Sequence, residues 1–581
     1  MNNLKNPFEY EGANNLSEDD IIDFYIEDYN FSRFIQSTRN VILIGERGSG
    51  KTMTLLYNSF KIQYKKSILQ QKTPSFEKIG IHIPCNTPLF HKKEYLLLDN
   101  DFKKSVICEH YLVLSIIYAL AETLADIKEI KQETKKIETQ LFEEIEYILG
   151  IQLNKQFDFF SSIQKFAYKE IIDTQKQINT YGTEAFYENA LSFSSIVMPL
   201  LSTIKNIRLL ENSHFLLMID DAHDMNLYQI RTLNSWIAYR DHSNFSFKVA
   251  TAKVNRPELI TSTGGSILEG HDFISVDMEK SFQNENSDFY KMAREIIERR
   301  LTNININIPV EEFFPVNIAF AEDLKQSKEK ALQDAHNKYP NGTQKQINDY
   351  VYKYERVEYF RQRASKANLP PYSGFETITD ISTGVIRNLL DPCFWMYDYE
   401  ISQRNCEIIK SIPPSTQNHI IIDRSKKLWE ILQNGLNKIV EDCSEEQAKQ
   451  IYQLFDNLIL LFKKRLLEHK SEPRAIVFTI SQKETHISFY TKVIELLNIA
   501  RRAQFLYTRV GSAKELGKQE IYYVPNRLLF PSRGLDPHGQ YSRVSIKATD
   551  LLNAAERNIP IPFSSDENEG LHVQTRLFED E

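Results

Sequence analysis

Cysteine is scarce in this chain. Its 581 residues hold five, Cys85, Cys108, Cys393, Cys406 and Cys443, an odd number with no close pair. That argues against both a disulfide framework and a thiolate zinc site, and fits a reducing compartment. His82 and Cys85 stand three apart, yet no second ligand pair follows at a useful spacing, so burial in a strand is the expectation for both. Long hydrophobic runs are missing as well. No stretch of 18 or more apolar residues occurs, and the amino terminus, MNNLKNPFEYEG, has no basic segment followed by an apolar one. The expectation is a cytoplasmic chain that makes no membrane contact and is not exported. There is no surplus of positive charge: the formal net charge of −8 excludes a uniformly basic nucleic-acid coat while leaving room for local patches.

What is present is the mixture of a folded protein, 42% hydrophobic and 25% charged, at a length that suits roughly three or four domains. Residues 16–36 cluster Leu16, Ile21, Phe24, Tyr25 and Phe34 among acidic residues, the pattern of an amphipathic helix. Val41, Ile42, Leu43 and Ile44 form a short apolar run, as in a strand buried on both faces. Helical spacing over 53–65 and a second strand over 79–84 follow. Residues 105–210 keep the helical period with hardly any Gly or Pro, which predicts a helical insertion. Strands are expected over 215–219, 245–252 and 273–278, with a helix over 227–239, and such alternation predicts a parallel sheet. From residue 288 the helical period returns, and 325–368 is so charged that it reads as solvated helices. Proline clusters near Pro370 and Pro413 are the boundary candidates.

Glycine is also sparse, with 19 residues in all, so the run Gly45-Glu46-Arg47-Gly48-Ser49-Gly50-Lys51-Thr52 stands out. It matches G-x-x-x-x-G-K-[ST] between an expected strand and helix; a chance match in this chain is on the order of one in two hundred. Glycines let backbone N–H groups wrap a β-phosphate, and the following helix adds its positive dipole end. Lys51 is expected to reach the β- and γ-phosphates and the Thr52 hydroxyl to ligate magnesium, so ATP and Mg2+ are the expected ligands. The run Phe215-Leu216-Leu217-Met218-Ile219-Asp220-Asp221 ends an apolar strand in two carboxylates, the Walker B pattern. Asp220 is the expected magnesium partner, and Asp221 is placed to orient or deprotonate the attacking water. Asp221 is one methylene shorter than the common Glu, which points to slow hydrolysis or to a rearranged attacking water with His223 as a candidate helper. A structural role is nonetheless the expectation for His223. Thr251, at a strand end, is a candidate γ-phosphate sensor. Arg387, in Ser382-Thr383-Gly384-Val385-Ile386-Arg387, is a candidate lid arginine for the γ-phosphate. Arg256, Arg299 and Arg300 are weighed as fingers toward a neighbouring subunit.

GERGSGKT, FLLMIDDAH, the lid-like FYKMAREIIERRL and STGVIR together resemble AAA+ ATPases of the origin-recognition and replication-initiator type, and the related STAND ATPases, over roughly residues 30–400. The resemblance implies an ATP-controlled switch, with nucleotide at a subunit interface and often a C-terminal winged helix. The fold class expected is therefore α/β: a P-loop three-layer parallel sheet with helical insertions and a helical lid, then a mainly helical winged-helix-like C-terminal domain. The segments are 1–40, an N-terminal helical segment; 41–280, the ATPase core with its insertion at about 105–210; 281–410, a lid with a charged insertion; and 411–581. The roughly 170 residues between Lys51 and Asp220 exceed a minimal AAA+ core.

Within 501–547, nine basic residues face three acidic ones, a net of +6, with Tyr507, Tyr522, Tyr523 and Tyr541 interleaved. This suggests a largely sequence-independent double-stranded DNA surface, against a solvated hairpin and subunit contact. The leading expectation is a homo-oligomeric AAA+/STAND-like ATPase whose nucleotide state controls assembly or engagement of DNA, by analogy in anti-phage defence or mobile-element biology. The alternative is a nucleotide-gated scaffold with little turnover that recruits an effector protein through the charged 325–368 helices. A small-molecule kinase lacks an evident acceptor pocket.

Overall fold

The computed structural model describes residues 6–9, 12–27, 31–85, 93–185, 187–239, 244–254, 258–279, 289–364, 372–404, 409–468, 473–481, 487–512, 519–539 and 543–563. The chain forms two compact units, one of residues 11–278 and one of residues 1–10 together with 279–581.

In the first unit the order is α1 (Glu18–Phe24), α2 (Phe31–Ile35), β1 (Val41–Ile44), α3 (Lys51–Tyr57), α4 (Phe60–Leu69), β2 (Lys78–Pro84), α5 (Asp101–Ala125), α6 (Lys128–Lys136), α7 (Glu138–Leu149), α8 (Phe159–Tyr181), α9 (Met198–Ile204), β3 (His214–Asp220), α10 (Leu227–Ile237), β4 (Phe245–Thr251) and β5 (Ile274–Asp277). The strands make one sheet in the order β2-β3-β4-β1-β5, with every pair parallel. Both faces are covered, so β1, β3 and β4 are buried along their whole length and read as unbroken apolar runs. Alternation still sorts the faces. Val41 and Leu43 join Leu55, Leu216, Met218 and Ala250 in one cluster. Ile42 and Ile44 join Phe215, Leu217, Ile219 and Phe247 in another, which the insertion helices complete.

Helix α5 is the centre of that insertion. Among the described residues it alone is long and apolar enough to cross a membrane by length and composition, but 72% of the relevant window is buried inside this unit. It is a core helix, with Cys108, Val113, Leu114, Ile117 and Leu120 packed away from solvent. Gly80 on β2 permits another close approach: a Cβ there would lie 2.5 Å from Met218 Cε and 2.6 Å from the Asn58 carbonyl.

Two helices differ from expectation. The stretch 16–36 contains two short helices, and the helix read over 53–65 starts at Lys51 and breaks after Tyr57. There the Asn58 side-chain amide donates to Thr54 O (2.8 Å) and the Ser59 hydroxyl to Leu56 O (2.6 Å), side-chain bonds that compete with the helical ladder.

The second unit continues with α11 (Phe289–Asn303), α12 (Val310–Phe313), α13 (Ile318–Lys338), α14 (Gln344–Ala364), α15 (Phe375–Ile381), α16 (Ile386–Arg404), α17 (Pro414–Asn434), α18 (Leu436–Ile439), α19 (Glu445–Glu468), β6 (Val477–Ser481), α20 (Ile487–Arg502), β7 (Leu506–Ser512), β8 (Gln519–Pro525), β9 (Arg543–Lys547) and α21 (Ala548–Arg557). The charged 325–368 stretch forms most of α13 and α14, which pack on each other with Ala335, Ile347 and Val351 between them. In the C-terminal part the sequence pattern is helical over 445–467 and 484–502 and strand-like over 475–480, 505–509 and 520–524, and α19, α20, β6, β7 and β8 overlap those stretches. The sheet is larger than expected: its order is β7-β8-β6-β9, with β9 parallel to β6 and the other pairs antiparallel.

The first residues belong here and not with α1 and α2. Phe8 is fully buried, with its ring centroid 6.1, 6.0 and 5.8 Å from those of Phe313, Phe314 and Tyr397. Arg300 donates to the carbonyls of Pro7 (2.8 Å) and Glu9 (2.9 Å). An aromatic that size is worth roughly 2 to 3 kcal/mol when buried, enough to set where a short segment docks.

Candidate nucleotide site

The loop between β1 and α3 is held against the sheet by Gly45, whose N–H donates to Thr251 O (3.3 Å) on the adjacent strand β4. Gly48 (φ 86°) and Gly50 (φ 96°) both take left-handed conformations that a side chain would strain. Gly50 turns the chain directly into α3, so Lys51 is the first helical residue. The Lys51 side chain is buried, and its ammonium donates to Gly45 O (2.9 Å) and Glu46 O (2.8 Å). Its charge thus lies within the loop, where a phosphate would meet it.

The two carboxylates at the end of β3 have different surroundings. Asp220 is fully buried. Burial alone would raise its pKa, but the hydrogen bond and charge of His82, the Thr52 hydroxyl and the Asp221 amide hold the carboxyl below the ordinary range. The distances are 3.1 Å from Oδ2 to His82 Nε2 and 2.9 Å from Oδ1 to Asp221 N. Asp221 occupies a left-handed conformation (φ 53°) at the turn after the strand. Burial, with the charges of Asp220 and Asp224, pushes its carboxyl up to about 6. Thr52 and Asp220 are therefore brought together as hard oxygen donors, and Asp221 is poised between acid and base near neutral pH.

Arg47 and His223 form a second link across the site. Burial brings the His223 imidazole down to about 4, so it is neutral at pH 7. Its Nε2 accepts from Arg47 Nε (3.1 Å), while Arg47 Nη2 donates to Asp224 Oδ1 (3.1 Å). The ring proton must then sit on Nδ1. That atom is buried and has no hydrogen-bond partner among the described residues; Ser49 Oγ and Thr251 Oγ1 are in the same condition. Thr251 is completely buried and pairs in register with Ile44, the last residue before the loop. Buried polar atoms without partners are costly unless a ligand meets them. Two left-handed glycines, a buried ammonium, paired hydroxyl and carboxylate oxygens, and these unmet groups fit a magnesium–nucleoside triphosphate.

The sequence marks the members of this group except Asp224, beside Arg47, and His82 in its role beside Asp220. The alternation of Ile79, Ile81 and Ile83, all buried on one face, leaves His82 on the other, and that was the available signal. Arg387 lies in the second unit, as the second residue of α16, half-buried and with no hydrogen-bond or ion-pair partner among the described residues. Arg300 is buried on carbonyls, and Arg299 pairs with Glu295 (2.5 Å) on its own helix. Arg256 lies outside the described residues.

The basic face read over 501–547 is dispersed. Arg527 is 2% exposed and donates to Gly539 O (2.7 Å). Arg533 stacks over Trp429 (4.3 Å) and pairs with Asp456 (3.0 Å), and Arg543 stacks over Tyr522 (4.8 Å) beside Glu520 (3.6 Å). Tyr507 and Tyr523 are core residues, Tyr523 stacked on Phe478. Lys514, Lys518 and Tyr541 lie outside the described residues. Lys547 is exposed, and Arg501 and Arg502 are half-buried. Net charge along a segment does not say which way each side chain points, and a folded sheet sends alternate residues inward.

A family model described as ORC-CDC6-like matches residues 6–338 and 315–546 of the chain. No curated protein matches it. Among solved structures, the Aeropyrum pernix ORC1 protein in complex with DNA is 10% identical, with 85% of this chain and 87% of that one covered, at a TM-score of 0.26. The Aeropyrum pernix ORC2 protein, solved as ADPNP–ADP complexes, is also 10% identical, with 90% and 88% covered, at a TM-score of 0.25.

Proposed function

The chain belongs to the ORC-CDC6-like family of AAA+ proteins, and from that premise we propose that it binds and hydrolyses ATP and uses its nucleotide state to control engagement of double-stranded DNA. The observation that carries this reading is the meeting of Thr52 and Asp220 behind a loop with a buried Lys51, with Asp221 pushed up to about 6 beside them.

Lys51 is proposed to leave the loop carbonyls for the β- and γ-phosphate oxygens, and the glycine-permitted turn to supply backbone N–H donors. Thr52 and Asp220 would hold Mg2+, which when bound neutralises developing charge on the phosphates. Asp221 accepts the proton of the attacking water, Thr251 and Ser49 donate to phosphate oxygens, and Arg387 is the guanidinium for the terminal phosphate. Assembly into a homo-oligomer and a lid formed by 281–410 belong to the same proposal, as does a setting in anti-phage or mobile-element biology.

The short side chain of Asp221 favours a second reading: a scaffold that holds ATP with little turnover and recruits an effector protein. ATP turnover by the full chain, with and without double-stranded DNA and with Lys51→Ala as background, separates the two. Lys51-dependent turnover stimulated by DNA supports the first. Tightly retained ATP with negligible turnover supports the second. Charge reversal at Arg501, Arg502 and Lys547 should weaken DNA binding and flatten its salt dependence; unchanged binding would remove these three residues as the contact.

A further inference from the structure

The turn that leads into Arg387 is strained, and the C-terminal segment holds it. Thr383 sits at φ 58° and Gly384 at φ 80°. A β-branched residue in the left-handed region is a genuine outlier, kept where its neighbours over-determine it. Here Arg509 Nη2, on β7, donates to Thr383 O (3.3 Å). The backbone N–H of Arg527 donates to Thr383 Oγ1 (3.0 Å). In the first turn of α16, Asn388 Nδ2 donates both to Ser382 O (3.2 Å) and to the hydroxyl of Tyr507 on β7 (2.8 Å).

Arg527 is itself anchored. Its guanidinium stands 3.5 Å from Asp380 Oδ1, on the helix that ends just before the turn. Asp380 also meets His538 Nε2 (3.1 Å), His538 Nδ1 meets Asp536 (2.7 Å), and Arg356 holds Asp536 (3.0 Å). Glu376, Asp380 and His538 come close enough together to suggest a cation site. The Arg527 guanidinium already counters the Asp380 carboxylate, however, so these contacts anchor Arg527.

We propose that Arg509 and Arg527 are positioning residues for Arg387. By fixing the left-handed Thr383–Gly384 turn they set the aim of a guanidinium that has no protein partner of its own among the described residues. The inference rests on the reading of Arg387 as a phosphate-facing residue.

The test uses the full chain with Mg-ATP, measuring single-turnover rate and ATP dissociation rate for Arg387→Ala, Arg509→Gln, Thr383→Gly and each of the last two combined with Arg387→Ala. Thr383→Gly is included because glycine takes this φ without strain, so it stays folded if Arg509→Gln does not. Each single change is expected to slow turnover on the order of tenfold. The double variants should be no slower than Arg387→Ala alone, the signature of residues acting through one group. Losses that multiply would overturn the inference. So would wild-type behaviour of Arg509→Gln and Thr383→Gly beside an impaired Arg387→Ala, which leaves the reading of Arg387 standing. Wild-type behaviour of Arg387→Ala would remove both.

Discussion

His82 Nε2 lies 3.1 Å from Asp220 Oδ2, joining neighbouring strands across 138 residues of sequence. The imidazole gives a fully buried carboxylate its partner and fixes which oxygen remains for other donors. A partner of a metal-holding carboxylate, the role proposed for Asp220, is typically worth ten- to a hundredfold in metal affinity. His82→Phe should therefore weaken magnesium-dependent ATP binding about tenfold while leaving magnesium-free ADP binding little changed. A magnesium titration of nucleotide binding checks this, and an unaltered magnesium requirement would reduce His82 to packing.

Asp221 carries a carboxyl pushed up to about 6 by burial and by the charges of Asp220 and Asp224. The proton-accepting role proposed for it needs the ionised form, so turnover should climb as pH rises through about 6 and level off above 7. Asp221→Asn should retain ATP and lose the profile. A rate flat from pH 5 to 8 would exclude this residue as the base.

Thr251→Val tests the buried hydroxyl directly. Oγ1 has no partner among the described residues, so replacing it with a methyl should leave stability unchanged or raise it by about 1 kcal/mol. Turnover should nevertheless fall on the order of tenfold if that hydroxyl meets phosphate. Thermal unfolding and turnover of the same preparation separate the two effects; loss of stability would mark Thr251 as structural.

His110 should make the first unit acid-sensitive. Burial brings its imidazole down to about 3; Leu191 N–H donates to Nδ1 (2.9 Å), and Nε2 faces the Thr174 hydroxyl (2.9 Å). The folded chain thus binds its proton far later than the unfolded chain, whose histidine titrates near 6.5. Stability is fully present above about 6.5 and declines as pH falls toward 3, by a few kcal/mol in all. Denaturant midpoints from pH 7 to 4 should show a shallower slope in His110→Gln than in the parent; parallel slopes would contradict the assignment.

Gly80→Ala should destabilise the first unit by about 1 to 3 kcal/mol, because the new methyl meets the fixed Asn58 carbonyl as well as the flexible Met218 side chain. An unchanged melting temperature would mean that the break between α3 and α4 can shift outward.

The sequence by itself determined the parts whose physics is local. A phosphate-loop motif needs glycines at particular positions along the chain, so the run Gly45 to Thr52 could be read directly, and Gly48 and Gly50 take left-handed conformations. An apolar run ending in Asp220 and Asp221 marks a strand buried on both faces, and such burial leaves its mark residue by residue. Pairings between distant segments left no such mark. Tertiary structure decided that His82 would face Asp220, that Phe8 would join the second unit, and that β9 would add a parallel strand beside β6. It also turned Arg527 inward to Asp380, away from the face its segment's charge implied. Charge and period belong to the segment, whereas the partner of a buried group is settled only when two segments far apart in the chain exclude water together.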